Sequence, residues 1–285
     1  MTRVCRTCLF YEGMRFFLHP HLSRSPAAPV RIGDDGRCSF CALYEERFSP
    51  AFLGAERQRF EEDARPVLVL FSGGKDSAAA LARTLKMGKR AHALLFDNGF
   101  VPREVVEQAQ RTCDRLGVPL FVERGGADLA GALAQLDVNG RTPCEACINA
   151  VWVHAARRAR ELDVSYVVQG TNYWATWSLF PVGTRLLVED RMVIHLPFVT
   201  HQSAEETRAL LREVGFEPAE LAGVSSNCRV PERVQERVAE ALGHVPELED
   251  LSLEVMVGHL SRAEAVETLR QKAPGHRALL VPLGL

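Results

Sequence analysis

Short apolar runs alternate with amphipathic stretches from about residue 66 onward. Each apolar run has the length of a strand that is buried on both faces, and strands are predicted at residues 67–71, 91–96, 120–122 and 166–169. The stretches between and after these runs have helical spacing, which predicts helices at residues 78–87, 103–116, 129–136 and 147–162. Because strands that alternate with helices usually form a parallel sheet, the pattern predicts an α/β fold built on a doubly wound parallel sheet.

The two ends of the chain follow this pattern less closely. The first 50 residues have no sustained periodicity, and residues 52–64 are predicted as a connecting helix that ends before Pro66. Beyond residue 173 a strand is predicted at 193–196 and helices at 204–214, 231–242, 251–260 and 263–272. This divides the chain into a cysteine-bearing domain at 1–50, a linker helix at 51–65, the α/β domain at 66–200 and a helical region at 201–285.

The composition is that of an ordinary globular protein, with 47% hydrophobic and 25% charged residues, which excludes a disordered or fibrous chain. A formal net charge of −2 excludes a generally basic, nucleic-acid-coating surface. No apolar run approaches the roughly 18 residues of a membrane helix, and the first nine residues lack the apolar core of a signal peptide. We therefore expect a cytoplasmic protein with no membrane partner.

Six of the eight cysteines form three Cys-x-x-Cys pairs, which in a reducing compartment indicates metal binding or redox chemistry. Two of the pairs lie near the N-terminus, 29 residues apart, at Cys5, Cys8, Cys38 and Cys41. Four thiolates in two such pairs match the tetrahedral coordination of zinc and predict a zinc ribbon. His19 and His21, which lie between the pairs, are alternative ligands.

A glycine-rich loop follows the first predicted strand directly: Ser72, Gly73, Gly74, Lys75, Asp76 and Ser77. Between a buried strand and a helix, its backbone N–H groups, its two hydroxyls and the lysine would attract a phosphate group. The loop does not match the Walker pattern, because the lysine is followed by aspartate.

The hexapeptide resembles the S-G-G-x-D-S loop of the PP-loop ATP pyrophosphatases, which have a HUP-like α/β fold. The resemblance implies that ATP is cleaved to AMP and pyrophosphate, that the loop holds the pyrophosphate, and that AMP activates an oxygen of the acceptor. It implies catalytic roles for Lys75 and for Asp76, which would also help to hold Mg²⁺. It also implies nucleotide contacts for Asp97, at the end of the second strand, and for Gly170 and Asn172, after the fourth.

The third cysteine pair, Cys144 and Cys147, precedes a helix that carries Arg157, Arg158 and Arg160 and a strand that ends in Gly-Thr-Asn. This layout resembles the tRNA 2-thiolation enzymes of the same superfamily, the 2-thiouridine and 2-thiocytidine synthetases. In that family the strand ends in Gly-His-Asn, so this chain departs from the pattern at Thr171.

A third cysteine completes a [4Fe-4S] site in that branch, and Cys228, which lies 81 residues after Cys147, matches its position. The resemblance thus implies a cluster on Cys144, Cys147 and Cys228. Two alternatives stay open, namely persulfide chemistry, in which Cys144 or Cys147 carries sulfur and Cys228 resolves a disulfide, and purely structural thiols. Cys113, within a predicted helix, is interpreted as an ordinary buried thiol.

The N-terminal segment also resembles a second PP-loop family, the N-acetyl sugar amidotransferases. The match consists of the first cysteine pair followed by Val-Arg-Ile-Gly-Asp-Asp-Gly-Arg directly before the second pair, at residues 30–37. Those enzymes accept ammonia from a separate glutaminase.

The favoured hypothesis is an ATP-dependent sulfurtransferase that uses ATP, Mg²⁺, Zn²⁺ and a [4Fe-4S] cluster, and the alternative is an amidotransferase. The acceptor is either tRNA or a small molecule. Residues 201–285 hold nine Lys and Arg against fourteen Asp and Glu, and such an acidic region argues against a large RNA surface. A sulfur carrier, a glutaminase and a second copy of the chain are the partners left open.

Overall fold

The computed structural model describes residues 2–14, 30–47, 50–126, 144–170, 184–218, 227–230 and 247–272. Their strands are β1 Val67–Leu70, β2 Ala91–Asp97, β3 Leu120–Arg124, β4 Tyr166–Gln169, β5 Thr184–Val188 and β6 Arg191–His195. Their helices are α1 Ser39–Arg47, α2 Pro50–Glu62, α3 Lys75–Lys86, α4 Arg103–Leu116, α5 Cys144–Glu161, α6 Leu196–Val199, α7 Ala204–Glu213, α8 Glu247–Met256 and α9 Arg262–Lys272.

Contacts divide the chain into two compact units. The first combines residues 1–18 and 23–52 with residues 235–285, and the second holds residues 19–22 and 53–234. The division of the sequence into four segments stays a prediction.

The second unit contains a six-stranded sheet in the order β3-β2-β1-β4-β6-β5. Every neighbouring pair is parallel except β5 with β6, which is antiparallel. The central strands are buried on both faces, and two hydrophobic clusters pack against them, one around Phe71, Leu81 and Ile194 and the other around Leu94 and Ala159. The α/β class and the mostly parallel sheet are therefore as the sequence predicts.

Local signals in the sequence explain where the helices begin and end. Helix α4 ends at Gly117, whose φ of +65° is the left-handed conformation that glycine adopts readily, and it spans the residues predicted for it. Helix α7 begins with a capping box in which the Ser203 hydroxyl accepts from the Glu206 backbone while the Glu206 carboxylate accepts from the Ser203 backbone.

The structure differs from the predicted elements at several places. Strand β5 and helix α1 were not predicted, and α8 begins four residues before the predicted helix at 251–260. The sixth strand runs over Arg191–His195 rather than 193–196, because Leu196 already starts α6. The helices predicted at 129–136 and 231–242 lie outside the described residues. Within the described part of the chain, no helix has the length and apolarity to cross a membrane.

Candidate active site and metal centre

The glycine-rich loop lies between β1 and α3, at the carboxyl edge of the sheet. Gly74 precedes the first helical residue, and the Ser77 hydroxyl donates to the Gly74 carbonyl at 2.9 Å. The hydroxyl oxygens of Ser72 and Ser77 are 3.1 Å apart, so the two hydroxyls turn toward each other across the loop. Lys75 is exposed in the first turn. The start of a helix, two hydroxyls and a lysine together form a site suited to an anion.

Two glycines explain why the loop can adopt this shape. Gly73 has a φ of +78°, and a Cβ there would lie 2.5 Å from the Val105 side chain of α4. At Gly170, after β4, a Cβ would lie 2.7 Å from the backbone oxygen of Asp76 and 2.8 Å from Cα of Ser77. The end of β4 therefore packs directly on the first turn of α3. This contact accounts for glycine at position 170, and the predicted nucleotide contact there stays a prediction.

Strand β2 ends beside the loop, because β1 and β2 are adjacent and parallel. Asp97 accepts from the Gly99 backbone N–H at 2.9 Å, and its other oxygen lies 4.0 Å from Nε of the exposed Arg124. The next residue, Asn98, is buried, and its Oδ1 accepts from the Phe100 backbone at 2.9 Å. Both residues thus lie at the carboxyl edge of the sheet, where the glycine loop also lies.

Two cysteines that are far apart in sequence meet at Asn98. Its Nδ2 donates to the Cys147 sulfur at 3.4 Å and to the Cys228 sulfur at 3.5 Å. Cys147 lies in the first turn of α5, and Cys228 lies in the short described segment 227–230. The structure therefore brings together two of the three core cysteines that the sequence singled out. The side chain of Cys144 and all of Asn172 lie outside the described residues.

Cys147, at the candidate site, and Cys113, in the core, lie in different surroundings. Burial raises the pKa of the Cys147 thiol, and the hydrogen bond from Asn98 opposes that rise. Cys113 is fully buried in the hydrophobic cluster, where burial raises the pKa to about 12. The structure thus gives Cys113 the environment of an ordinary core residue, as predicted.

In the first unit, the other four cysteines converge on one buried point. The sulfur atoms of Cys5, Cys8, Cys38 and Cys41 all lie within 4.8 Å of one another, and all four residues are buried. The Cys5–Cys41 and Cys8–Cys38 sulfur distances are 3.8 and 3.7 Å. A tetrahedron with Zn–S bonds of about 2.3 Å has sulfur atoms about 3.8 Å apart. The residues therefore fit a zinc ion, and the arrangement is consistent with a zinc ribbon.

Backbone groups orient these sulfurs. The Cys5 sulfur accepts from the backbone N–H groups of Thr7 and Cys38, and the Cys38 sulfur accepts from that of Cys41. Hydrogen bonds from the Cys38 and Cys41 thiols lower the pKa of Cys5, whereas burial raises the pKa of Cys8. A buried cluster that stabilises a thiolate while excluding water is suited to a cation that balances the negative charge.

The arginines of α5 are paired with carboxylates of neighbouring elements. Glu123 of β3 accepts from Arg157 at 2.6 Å and also from Arg158, while Arg160 donates to Glu189 at 2.9 Å. The Arg158 guanidinium also lies over the Phe121 ring, 4.4 Å from its centroid. These pairs reduce the positive charge that the helix offers to a phosphate backbone.

Asn98 is the site residue that sequence reasoning missed. In the sequence it is the middle residue of Asp-Asn-Gly, which indicates only a turn. Its position directly after Asp97, at the end of a strand beside the loop strand, was the available signal. Its contact with Cys228, 130 residues away, is visible only in the fold.

The glycine loop lies in a segment that matches a known protein family. Residues 66–129 match the family model described as "Queuosine biosynthesis protein QueC". The matched segment includes β1, the glycine loop, β2 and Asp97. It ends before the third cysteine pair.

Individual relatives match the chain over different lengths. An uncharacterized protein of Methanocaldococcus jannaschii is 25% identical over 209 residues, which is 72% of this chain and 72% of that protein. The 7-cyano-7-deazaguanine synthases of Alteromonas mediterranea and Chromohalobacter salexigens are 43% and 40% identical over 53 and 57 residues. Those stretches span 24% and 23% of the two synthases.

These similarities bear on two of the resemblances seen in the sequence, those to the PP-loop superfamily and to its tRNA 2-thiolation enzymes. They support the PP-loop ATP pyrophosphatase superfamily, which the loop motif had indicated. They do not extend to tRNA thiolation or to a [4Fe-4S] cluster. At this level, the chain is similar to ATP-utilising PP-loop enzymes.

Proposed function

We propose that this protein is an ATP-dependent sulfurtransferase of the PP-loop type. The observation that carries the proposal is the convergence of the Cys147 and Cys228 sulfurs on Asn98, at the carboxyl edge of the sheet that also holds the glycine loop. Ligand sites of open parallel sheets lie at this edge. A nucleotide site and two thiols that share it can act on the same acceptor.

The chemistry has two steps. In the first, the acceptor oxygen attacks the α-phosphorus of ATP, and pyrophosphate leaves while Lys75 and the hydroxyls of Ser72 and Ser77 hold its charge. Asp76 would help to hold Mg²⁺. In the second step, a sulfur nucleophile attacks the activated carbon, and AMP leaves with the original oxygen. The role of the two cysteines is to deliver that sulfur.

Sulfur can reach the acceptor by two routes. In one, an external persulfide donor transfers its outer sulfur atom to Cys147, and the donor thiol leaves. This sulfur attacks the acceptor while AMP leaves. Cys228 then attacks the Cys147 sulfur, releases the thiolated product and leaves a disulfide, which an external dithiol must reduce. In the other, Cys144, Cys147 and Cys228 would hold a [4Fe-4S] cluster, which would supply an iron site for hydrosulfide. Both routes need Cys147 and Cys228 close together, which their shared contact with Asn98 supports.

The proposal is tested by supplying ATP, candidate acceptors and labelled sulfur, and by analysing the products. The sulfur is given as sulfide for the cluster route, and as a persulfide donor together with a dithiol for the persulfide route. We expect AMP, pyrophosphate and labelled acceptor from the wild-type protein, and no labelled acceptor from Cys147→Ser or Cys228→Ser. Metal analysis of anaerobically prepared protein separates the two routes, because the cluster requires about four irons besides one zinc. Cys113→Ser is the matched control and should retain activity.

A nitrogen-transferring reaction is the second candidate, favoured by the match of residues 66–129 to the family of the 7-cyano-7-deazaguanine synthases. A cyano group contains nitrogen, and ammonia would take the place of sulfur in the second step, drawn from a glutaminase partner or from solution. In this case ¹⁵N-labelled ammonia enters the product, and Cys228→Ser keeps full activity.

A small acceptor is favoured over tRNA. The arginines at 157, 158 and 160 are paired with acidic side chains, and residues 201–285 are acidic. Phosphate contacts supply much of the affinity of proteins for RNA. We therefore expect no shift of bulk tRNA in a mobility assay at low salt, whereas micromolar binding that weakens steeply with salt would restore tRNA as the acceptor.

A further inference from the structure

We propose that Asn98 is a positioning residue that holds the sulfur atoms of Cys147 and Cys228 together as one two-thiol site. The inference rests on the proposed function only for what the two thiols do there. A carboxamide nitrogen carries two protons, and Asn98 Nδ2 lies 3.4 Å and 3.5 Å from the two sulfurs. Each proton therefore has one sulfur as its acceptor.

The orientation of the amide is fixed by the other end of the group. Oδ1 accepts from the Phe100 backbone N–H at 2.9 Å, which only the carbonyl end of the amide can do. Turning the amide over would set an N–H donor against that N–H. The nitrogen therefore faces the sulfurs, and the buried position of Asn98, 7% exposed, shields both hydrogen bonds from water.

A backbone contact links the same turn to the segment that carries Cys228. The Arg229 N–H donates to the Phe100 carbonyl at 3.2 Å, and Val230 next to it is buried. The turn at 98–100 thus contacts the Cys228 segment through its backbone and both cysteines through the Asn98 side chain. The Asn98 side chain thus contacts two residues that lie 49 and 130 positions further along the chain.

Substitution by aspartate separates this role from that of an ordinary turn residue. In Asn98→Asp the carboxylate keeps the size of the side chain and still accepts from the Phe100 backbone, so the turn is preserved. Both donors to sulfur are replaced by an acceptor of negative charge. A purely structural Asn98 would leave the affinity of the folded variant for a two-thiol ligand unchanged, whereas loss of a residue that positions two sulfurs would lower it.

The experiment measures the affinity of the two thiols for a ligand that must bind both at once. The probe is phenylarsine oxide, which forms two As–S bonds with a thiol pair and releases water. It is added to zinc-loaded protein that carries Cys144→Ser, so that this neighbouring thiol does not contribute, and the bound site is located by mass spectrometry of proteolytic fragments. Asn149→Asp, an exposed position two residues after Cys147, introduces the same charge on the helix that carries Cys147 and is the matched control.

We expect Asn98→Asp to weaken arsenical binding at Cys147 and Cys228 at least tenfold, and Asn149→Asp to leave it unchanged. Asn98→Ser, which retains one donor, should lie between them. Wild-type affinity in a folded Asn98→Asp or Asn98→Ser protein would overturn the proposal. The binding assay uses no ATP, so a chain that forms no thiolated product but shows this order of affinities refutes the proposed function and keeps Asn98 as the positioning residue.

Discussion

Lys75 is the exposed cation of the glycine loop, in the first turn of α3 beside Ser77. Its proposed role is to stabilise the negative charge that develops on the departing pyrophosphate. Lys75→Ala should therefore abolish the formation of AMP from ATP while leaving the melting temperature within about 2 °C, because an exposed side chain contributes little to stability. The assay is chromatography of labelled nucleotides. Lys86→Ala, at the other end of the same helix, is the control, and equal loss in both variants would argue against the assignment.

Gly170 tests how the loop is supported. A Cβ at this position meets the backbone of Asp76 and Ser77 rather than a side chain that can move away. Gly170→Ala should lower the free energy of unfolding by about 1–3 kcal/mol and slow AMP formation, since relief of the clash displaces the first turn of α3. At Gly126, by contrast, a Cβ has no atom within 4 Å. Denaturant unfolding of Gly170→Ala and Gly126→Ala should therefore differ, and matching midpoints would contradict the geometry.

At the scale of elements, Glu123 of the edge strand β3 forms ion pairs with two arginines of helix α5. Its side chain is 10% exposed and accepts from Arg157 and Arg158, whose side chains are 52% and 23% exposed. Glu123→Gln should lower the free energy of unfolding by about 1–3 kcal/mol at pH 7, because it removes the charge that compensates the half-buried Arg158. Glu161→Gln, whose partners are the same two arginines but whose side chain is 46% exposed, should cost much less.

The same contact predicts a dependence on pH. Burial alone would raise the pKa of Glu123, but hydrogen bonds from Arg158, His154 and Arg157 outweigh burial and hold the pKa below its ordinary value. A carboxyl group whose pKa is lowered by folding stabilises the protein above the unfolded pKa of about 4.3, and that contribution is lost as the pH falls through the lower, folded value. Urea midpoints of the wild-type and Glu123→Gln proteins should differ at pH 7, and the difference should shrink as the pH falls below about 4.3. A difference that stays constant or grows as the pH falls would contradict this dependence.

Local signals were sufficient for most of the elements in the sheet unit. Helix α4 was predicted from its apolar spacing and its terminal Gly117, and β4 from its apolar run, because these signals act over a few residues. Strand β5 was missed, since its pairing is antiparallel to β6 and its sequence lacks the apolar run of a central strand. Helix α1 was missed because Ser39–Arg47 has no regular apolar stripe.

The sequence predicted the candidate site only where a short motif contains the residues that carry its chemistry. The glycine loop and the N-terminal cysteine pairs are short motifs, and their residue types identify them. The contact of Asn98 with Cys147 and Cys228 depends on how β2, α5 and the segment at 227–230 come together. The neutralisation of Arg157 and Arg158 by Glu123 depends likewise on the packing of α5 on β3. Tertiary contacts of this kind leave no pattern in a single sequence.

For the molecule as a whole, the four-cysteine cluster belongs to a unit that also contains the C-terminal helices α8 and α9. Arg262, the first residue of α9, donates to the Cys8 carbonyl at 3.3 Å, and Glu249 of α8 is near enough to influence the pKa of Tyr11, which burial chiefly raises. If one zinc ion holds the cysteines, its removal should loosen these helices as well as the ribbon.

Hydrogen exchange before and after chelation measures this coupling. Loss of one equivalent of zinc should reduce amide protection in residues 2–14, 30–47 and 247–272, while the strands β1, β2 and β4 of the other unit keep theirs. Cys38→Ser should reproduce the effect without a chelator. Unchanged protection in α8 and α9 after zinc loss would show that they do not depend on the ribbon.

The most direct test of the central claim is the number of sulfur atoms transferred for each AMP formed. The claim is that ATP cleavage at the glycine loop drives sulfur delivery by Cys147 and Cys228. With labelled ATP, a dithiol, and ³⁵S supplied both as sulfide and as a persulfide donor, we expect AMP and pyrophosphate as products and one acceptor-bound sulfur per AMP in the wild-type protein. We expect a ratio near zero in Cys228→Ser, in which adenylation still proceeds. ADP and phosphate as products, or a nitrogen-containing product formed at the wild-type rate by Cys228→Ser, would contradict the claim.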